Sequence, residues 1–169
     1  MKRNIKPFGN DIVRLRLIEE KDLETTLSWR NRDEARIWFK STSTISLDQH
    51  REWFQRYQEK DNDFLFVIEV NNKLVGQASV YDIDWDAGQA EVGRFLAAPD
   101  EGSKGYIGQA CAALIHLCTD TLSLKYIFLE VIENNERAVR LYQHNGFIEE
   151  QRYDGLIRMS LSFELKETV

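Results

Sequence analysis

The chain has 169 residues, 43% of them hydrophobic and 11% aromatic, with a formal charge of −6. That length suits one domain with a real core and is short for two. The apolar content excludes a disordered chain, and the acidic balance argues against general nucleic-acid binding.

Met1-Lys2-Arg3-Asn4-Ile5-Lys6-Pro7 is basic but precedes no apolar stretch of signal-peptide or membrane-spanning length, so a cytoplasmic protein without a membrane partner is expected. Asp11 to Leu17 alternates polar and apolar residues and predicts a first strand. From Glu19 to about Phe39 the pattern is helical, and Ser46-Leu47-Asp48-Gln49 resembles a capping box opening a second helix with His50, Trp53, Phe54 and Tyr57. Phe64 to Val70, Leu74 to Asp82 and Gln89 to Ala97 are rich in β-branched and aromatic residues. Asn71-Asn72 and Trp85-Asp86-Ala87-Gly88 separate them, which predicts three antiparallel strands joined by hairpins.

A polar, glycine-containing loop then leads into a helix whose Ala110, Ala113, Leu114, Leu117 and Cys118 form one buried stripe. Tyr126 to Ile132 suits a strand buried on both faces, and Asn134-Asn135 begins a helix ending at Asn145-Gly146. Phe147 to Phe163 closes the sheet as a hairpin around Tyr153-Asp154-Gly155. The order βααβββαβαββ describes an α/β (α+β) fold: a mixed sheet, mostly antiparallel and of about seven strands, with helices packed on it. Cys111 and Cys118 lie too far apart along one helix to bond, and His50, His116 and His144 show no metal-ligand spacing, so packed thiols and no metal are expected.

Asn135-Glu136-Arg137-Ala138-Val139-Arg140-Leu141-Tyr142-Gln143-His144-Asn145-Gly146-Phe147 resembles the N-x-x-A-x-x-L-Y-x-x-x-G-F signature of the Gcn5-related (GNAT) N-acetyltransferases. Ala138 leaves room for a ligand chain against the helix, and Tyr142, one turn on, projects toward the same face. The resemblance implies the GNAT fold with helices on both faces and acetyl-coenzyme A as cosubstrate. It places Asn135, Ala138 and Tyr142 on the cofactor and makes Tyr142 the acid that protonates the departing thiolate; the bland alternative is a buried aromatic satisfied elsewhere. Ala90-Glu91-Val92-Gly93-Arg94-Phe95-Leu96-Ala97-Ala98-Pro99 resembles the family's splayed central strand. Leu96, Ala97 and Ala98 would offer main-chain contacts there, and free amides would stabilise developing oxyanion charge. Lys104-Gly105-Tyr106-Ile107-Gly108 stands where the family binds pyrophosphate through amides at a helix start. Gly102 and Ile107 depart from its R/Q-x-x-G-x-G/A pattern, which leaves open which amides bind.

An amine acceptor must lose a proton before attack, and Glu91 is the candidate base, with Asp82 and Asp84 as competitors and a solvent-facing or Arg94-paired carboxylate as the alternative. Direct attack in a ternary complex is expected, because the buried stripe leaves no accessible cysteine nucleophile.

Leu27-Ser28-Trp29-Arg30-Asn31-Arg32 and the Ser46, His50, Trp53 spacing resemble members that acetylate nucleotide-linked amino sugars in the pseudaminic-acid pathway, and also spermidine and ribosomal-protein acetyltransferases. Between Ser28 and Lys60, seven Lys or Arg (30, 32, 36, 40, 51, 56, 60) face five acids (33, 34, 48, 52, 59), a local +2 that tips the expectation toward an amino-sugar nucleotide. Polyamines and protein N-termini are the enzymatic alternatives, and a noncatalytic acyl-CoA-binding domain is an alternative of another class. Arg30 and Asn31 are the polar pair assigned to the acceptor. One domain over 1–169 is expected, with 1–60 on the acceptor side, 61–169 as the acetyl-CoA core, and a homodimer as a candidate assembly.

Overall fold

The computed structural model describes residues 1–39 and 41–163, so Lys40, counted in the local charge above, lies outside the described residues. Eight strands form one sheet among them: β1 (Phe8–Gly9), β2 (Arg14–Leu17), β3 (Asp63–Val70), β4 (Lys73–Asp84), β5 (Gln89–Ala97), β6 (Tyr126–Ile132), β7 (Ile148–Tyr153) and β8 (Leu156–Ser162), in the order β1-β2-β3-β4-β5-β6-β8-β7. The helices are α1 (Leu23–Arg30), α2 (Asp33–Arg36), α3 (Leu47–Gln58), α4 (Tyr106–His116) and α5 (Glu136–His144).

Strand alternation sends Phe64, Phe66, Ile68, Val80 and Val92 to one face, where Ala110, Leu114 and Cys118 cover them. It sends Leu65 and Val67 to the other, under Leu23, Phe54 and Tyr57. Helices therefore pack on both faces. Each fully buried Leu or Phe side chain contributes about 1.5–3 kcal/mol. Asn71 and Asn72 take φ of 49° and 64°, as a two-residue hairpin turn with strand-matched twist requires. Ser46 and Gln49 form the expected capping box at the start of α3.

Three elements differ from the sequence reading. Asp11 and Ile12 belong to a turn, because the Asn10 side chain accepts the N–H groups of Ile12 and Val13 and lets β1 fold back on β2. The helix expected over 19–39 divides after α1. Asn31 exchanges two hydrogen bonds with the Ile45 backbone at 2.8 and 3.0 Å, and Arg32 turns to cap the Trp29 carbonyl at 3.0 Å. On β6 only Ile127, Leu129 and Val131 are buried; Tyr126, Phe128 and Glu130 on the other face are half-buried.

β5 and β6 are the parallel pair, and they hold register only over Gln89↔Tyr126, Ala90↔Ile127 and Glu91↔Phe128, although both strands continue. A bulge accompanies the separation: Ser79 faces Gly93, then Gln77 faces Leu96, with one extra residue on β5. Arg94 sits in that bulge at φ 53°, a left-handed conformation costing on the order of 1–3 kcal/mol. Its guanidinium bonds Asp63 at 2.8 Å and the Ser79 hydroxyl at 3.0 Å, and its carbonyl accepts from Gln77 at 3.1 Å.

Gly76 permits the close approach of β5 beyond the bulge. A Cβ at this position would lie 2.6 Å from the Leu96 carbonyl oxygen and 3.0 Å from Ile107 Cδ1. Gly76→Ala is expected to destabilise the protein by roughly 1–3 kcal/mol in urea denaturation, because backbone must move to admit the methyl.

Candidate active site

Where β5 and β6 part, a cleft of about 1320 Å³ runs through the sheet. On the α4/α5 face it is lined by Gly105, Ile107, Gly108, Ala138, Leu141 and Tyr142, and on the α1/α3 face by Arg30, His50, Trp53 and Glu91. This exceeds the size of a pocket for one drug-sized ligand and suits a long ligand meeting a second one.

The backbone of β5 supplies polar groups to the gap. Ala98 donates its N–H to the Val75 carbonyl at 2.8 Å. Antiparallel alternation then directs Leu96 N–H to β4 as well, and turns the N–H groups of Phe95 and Ala97 away from β4 toward the cleft. Leu96 and Ala98 thus line the cleft with their amides engaged, and Phe95, absent from the sequence reading, joins Ala97 as a donor. The Ala97 carbonyl accepts from Arg32 at 2.6 Å, which ties the end of α1 to this strand.

Gly105 begins α4 in the left-handed region at φ 78°, and the first helical bond runs from Gln109 N–H to the Gly105 carbonyl at 3.2 Å. The amides of Tyr106, Ile107 and Gly108 therefore have no acceptor within the helix, which makes this end attractive to an anion. Ile107 turns toward the space left by Gly76, so the larger residue is accommodated. Lys104 pairs with Glu101 at 2.9 Å and Tyr106 packs on the core; neither side chain lines the cleft. Asn135 caps α5 by accepting Ala138 N–H at 3.3 Å, and Arg137 donates to the Gly102 carbonyl.

Tyr142 packs against Phe95 and Phe147, with ring centroids 5.6 and 6.2 Å away, and faces the cleft. Among the described residues its hydroxyl has no hydrogen-bond partner. Burial, with the Cys111 thiol nearby, pushes this phenol above its ordinary value of 10.0, so it carries its proton at neutral pH. An unpartnered, protonated hydroxyl at a gap between strands is equipped to donate.

On the opposite face Glu91 is 9% exposed and stands across from Tyr81, whose phenol is raised by burial and by this neighbouring carboxylate. Arg94, expected as its alternative partner, is bound to Asp63 instead. Asp82 and Asp84 are exposed and do not line the cleft; Asp84 accepts the Ala87 N–H at 2.9 Å. His50 stacks on Trp53 at 5.3 Å and is held below its ordinary value by burial and by Arg30. Arg30 lines the cleft, donating to the Ser43 carbonyl at 3.1 Å and lying over Phe39. Asn31 does not line it, since its amide is spent on Ile45.

Gln77 and Tyr81 also line the cleft, with Ser79 between them holding Arg94, and the sequence reading assigns none of the three. The signal was present: they fall at every second position of a strand whose intervening Ala78 and Val80 are core.

The family model described as the acetyltransferase (GNAT) domain matches residues 13–148. Spermidine N(1)-acetyltransferase of Vibrio cholerae is 28% identical over 143 residues, covering 83% of this chain and 82% of that protein. Its counterpart from Escherichia coli K12 is 23% identical over 136 residues, 80% of this chain and 72% of the other. The crystal structure of V. cholerae spermidine N-acetyltransferase in complex with CoA and spermine gives a TM-score of 0.84 at 25% identity, over 90% of this chain and 96% of that one. A dodecameric structure of the V. cholerae enzyme gives 0.78 at 25% identity, over 90% and 95%.

Tyr57 and Tyr81, like Tyr142, are raised above the ordinary phenol value, chiefly by burial. The folded chain then holds protons that the unfolded chain releases above pH 10, so stability is expected to fall as pH rises from there. In ultraviolet titration of the phenolate band, Tyr142→Phe is expected to remove one late-titrating phenol; removal of an ordinary one contradicts the assignment.

Proposed function

The chain belongs to the acetyltransferase (GNAT) domain family, and we propose that it is an acetyl-coenzyme-A-dependent N-acetyltransferase, acting as one domain, whose acceptor is the primary amine of a polyamine. The observation that carries the donor side of this reading is the unpartnered Tyr142 hydroxyl facing the gap where β5 and β6 separate.

Acetyl-coenzyme A supplies an activated acyl carbonyl and a thiolate leaving group. The fit to this chain rests on its own groups: the open amides at the start of α4 for pyrophosphate, the amides of Phe95 and Ala97 for the arm and the acyl oxygen, and Ala138 as a wall small enough to pass. Tyr142 gives its proton to the leaving sulfur. Glu91 takes the proton from an ammonium whose unperturbed value is roughly 10. Both cysteines are buried and their thiols are pushed up, Cys111 to about 12, which favours direct attack over a covalent acetyl-cysteine.

The acceptor assignment rests on relatives that act on spermidine. It takes precedence over the nucleotide-linked amino sugar favoured by local charge. Arg30 supports that sugar as a second reading, because a cleft-lining guanidinium with no carboxylate partner among the described residues suits an anionic acceptor. We also propose that the chain self-assembles, on the strength of the dodecameric relative.

Thiol release from acetyl-CoA is the direct test. Steady release is expected with spermidine or spermine. Release only with a nucleotide-linked amino sugar selects the second reading, and release with no amine rejects the enzyme. Tyr142→Phe is expected to lower kcat by roughly 10²-fold with CoA affinity by calorimetry unchanged; an unchanged rate removes Tyr142 as the acid.

A further inference from the structure

We propose that Tyr81, its ring held by Arg94, is a positioning residue that orients the Glu91 carboxylate for proton removal from the acceptor; the inference rests on the reading of Glu91 as the base.

Tyr81 and Glu91 occupy directly opposed positions of β4 and β5, the closest cross-strand relation a sheet offers, which sets the phenol beside the carboxylate as the donor available to it. The residue two positions on is Gly93, and a Cβ there would stand 2.9 Å from the Tyr81 hydroxyl and 3.4 Å from its ring. A methyl at that position would push the phenol from where it lies across β5. The next residue is the bulged Arg94, whose guanidinium lies 4.2 Å from the Tyr81 ring centroid while Asp63 and Ser79 fix its Nη1. A stacked, anchored cation keeps the ring from swinging out. Tyr81, Glu91, Gly93 and Arg94 all line the cleft.

The chemistry requires such a partner. A carboxylate only 9% exposed has lost most of its hydration, and a hydrogen bond to its ionised form replaces part of that loss and fixes which lone pair faces the cleft. Burial and the neighbouring Glu91 keep the phenol protonated, so it remains a donor. The proton of the acceptor ammonium passes to Glu91 and from there to water, while Tyr81 keeps its own. Arg94 and Asp82 act on the phenol, Asp63 pairs with Arg94, and Glu130 on β6 with His50 and Arg56 on α3 are the other charged or titratable groups of these neighbouring elements that line the same cleft.

The test has one arm independent of turnover. Carbon-detected NMR titration of the Glu91 carboxyl is expected to show its midpoint rise by about one unit in Tyr81→Phe, a substitution that keeps the ring beneath Arg94. With whichever of spermidine, spermine and the amino-sugar nucleotide releases thiol fastest, the acidic limb of kcat/KM against pH is expected to move upward by the same amount. The same shift is expected in a His50→Gln background, which separates Glu91 from the histidine in the cleft. An unmoved carboxyl midpoint overturns the proposal, as does a rate loss equal at every pH. Full activity in Glu91→Gln overturns instead the reading of Glu91 beneath it, and absence of turnover with any amine overturns the enzyme reading while the carboxyl titration still decides the pairing.

Discussion

Two strands that share hydrogen bonds over three residue pairs and then part leave backbone donors and acceptors inside a protein with no strand to receive them. The surrounding structure answers that constraint. On the β4 side the extra residue at Arg94 turns β5, and Asp63, Ser79 and Gln77 hold the turned residue. On the open side Arg32 takes the Ala97 carbonyl, and the remaining amides face a cleft. The strain is thus held by named contacts, and the space it opens is where the ligand groups converge.

The same separation joins the two faces of the sheet. α4 and α5 deliver an anion-attracting helix start and a phenol with a proton, while α1 and α3 border the side with Glu91, His50 and Arg30. Burial without a partner keeps Tyr142 a donor, and across the sheet burial and the neighbouring Glu91 keep the Tyr81 phenol protonated beside that carboxylate. The phenol of Tyr142 and the carboxylate thus border the same cleft from opposite faces of the sheet, the arrangement that the proposed acid and base roles require.

Much of this was legible in residue order, wherever the cause is local. Asn71-Asn72, Ser46 to Gln49 and the stripe Ala110, Ala113 and Leu114 each specify their element through neighbours a few positions away, and they appear as read. Readings failed where a distant group intervenes. Asn31 looked like a ligand residue because its hold on Ile45, fourteen positions on, is invisible in sequence, and that hold also divides the helix. Leu96, Ala97 and Ala98 are expected alike to offer main-chain contacts, and only the phase of the β4 ladder, unseen in sequence, engages the Ala98 amide with Val75. Tyr81 went unnoticed because its importance comes from Glu91 across the hairpin and from Arg94 over its ring.

In mechanical terms the sheet is two leaves, β1 to β5 and β6-β8-β7, joined along a spine of three residue pairs. A ligand seated between the leaves touches both, so it acts as a rivet beyond the spine, and occupancy and cohesion become linked quantities. By mass action the joined form gains RT ln(1 + [L]/Kd), so the resistance of the chain to unfolding rises with the concentration of whatever fills the gap.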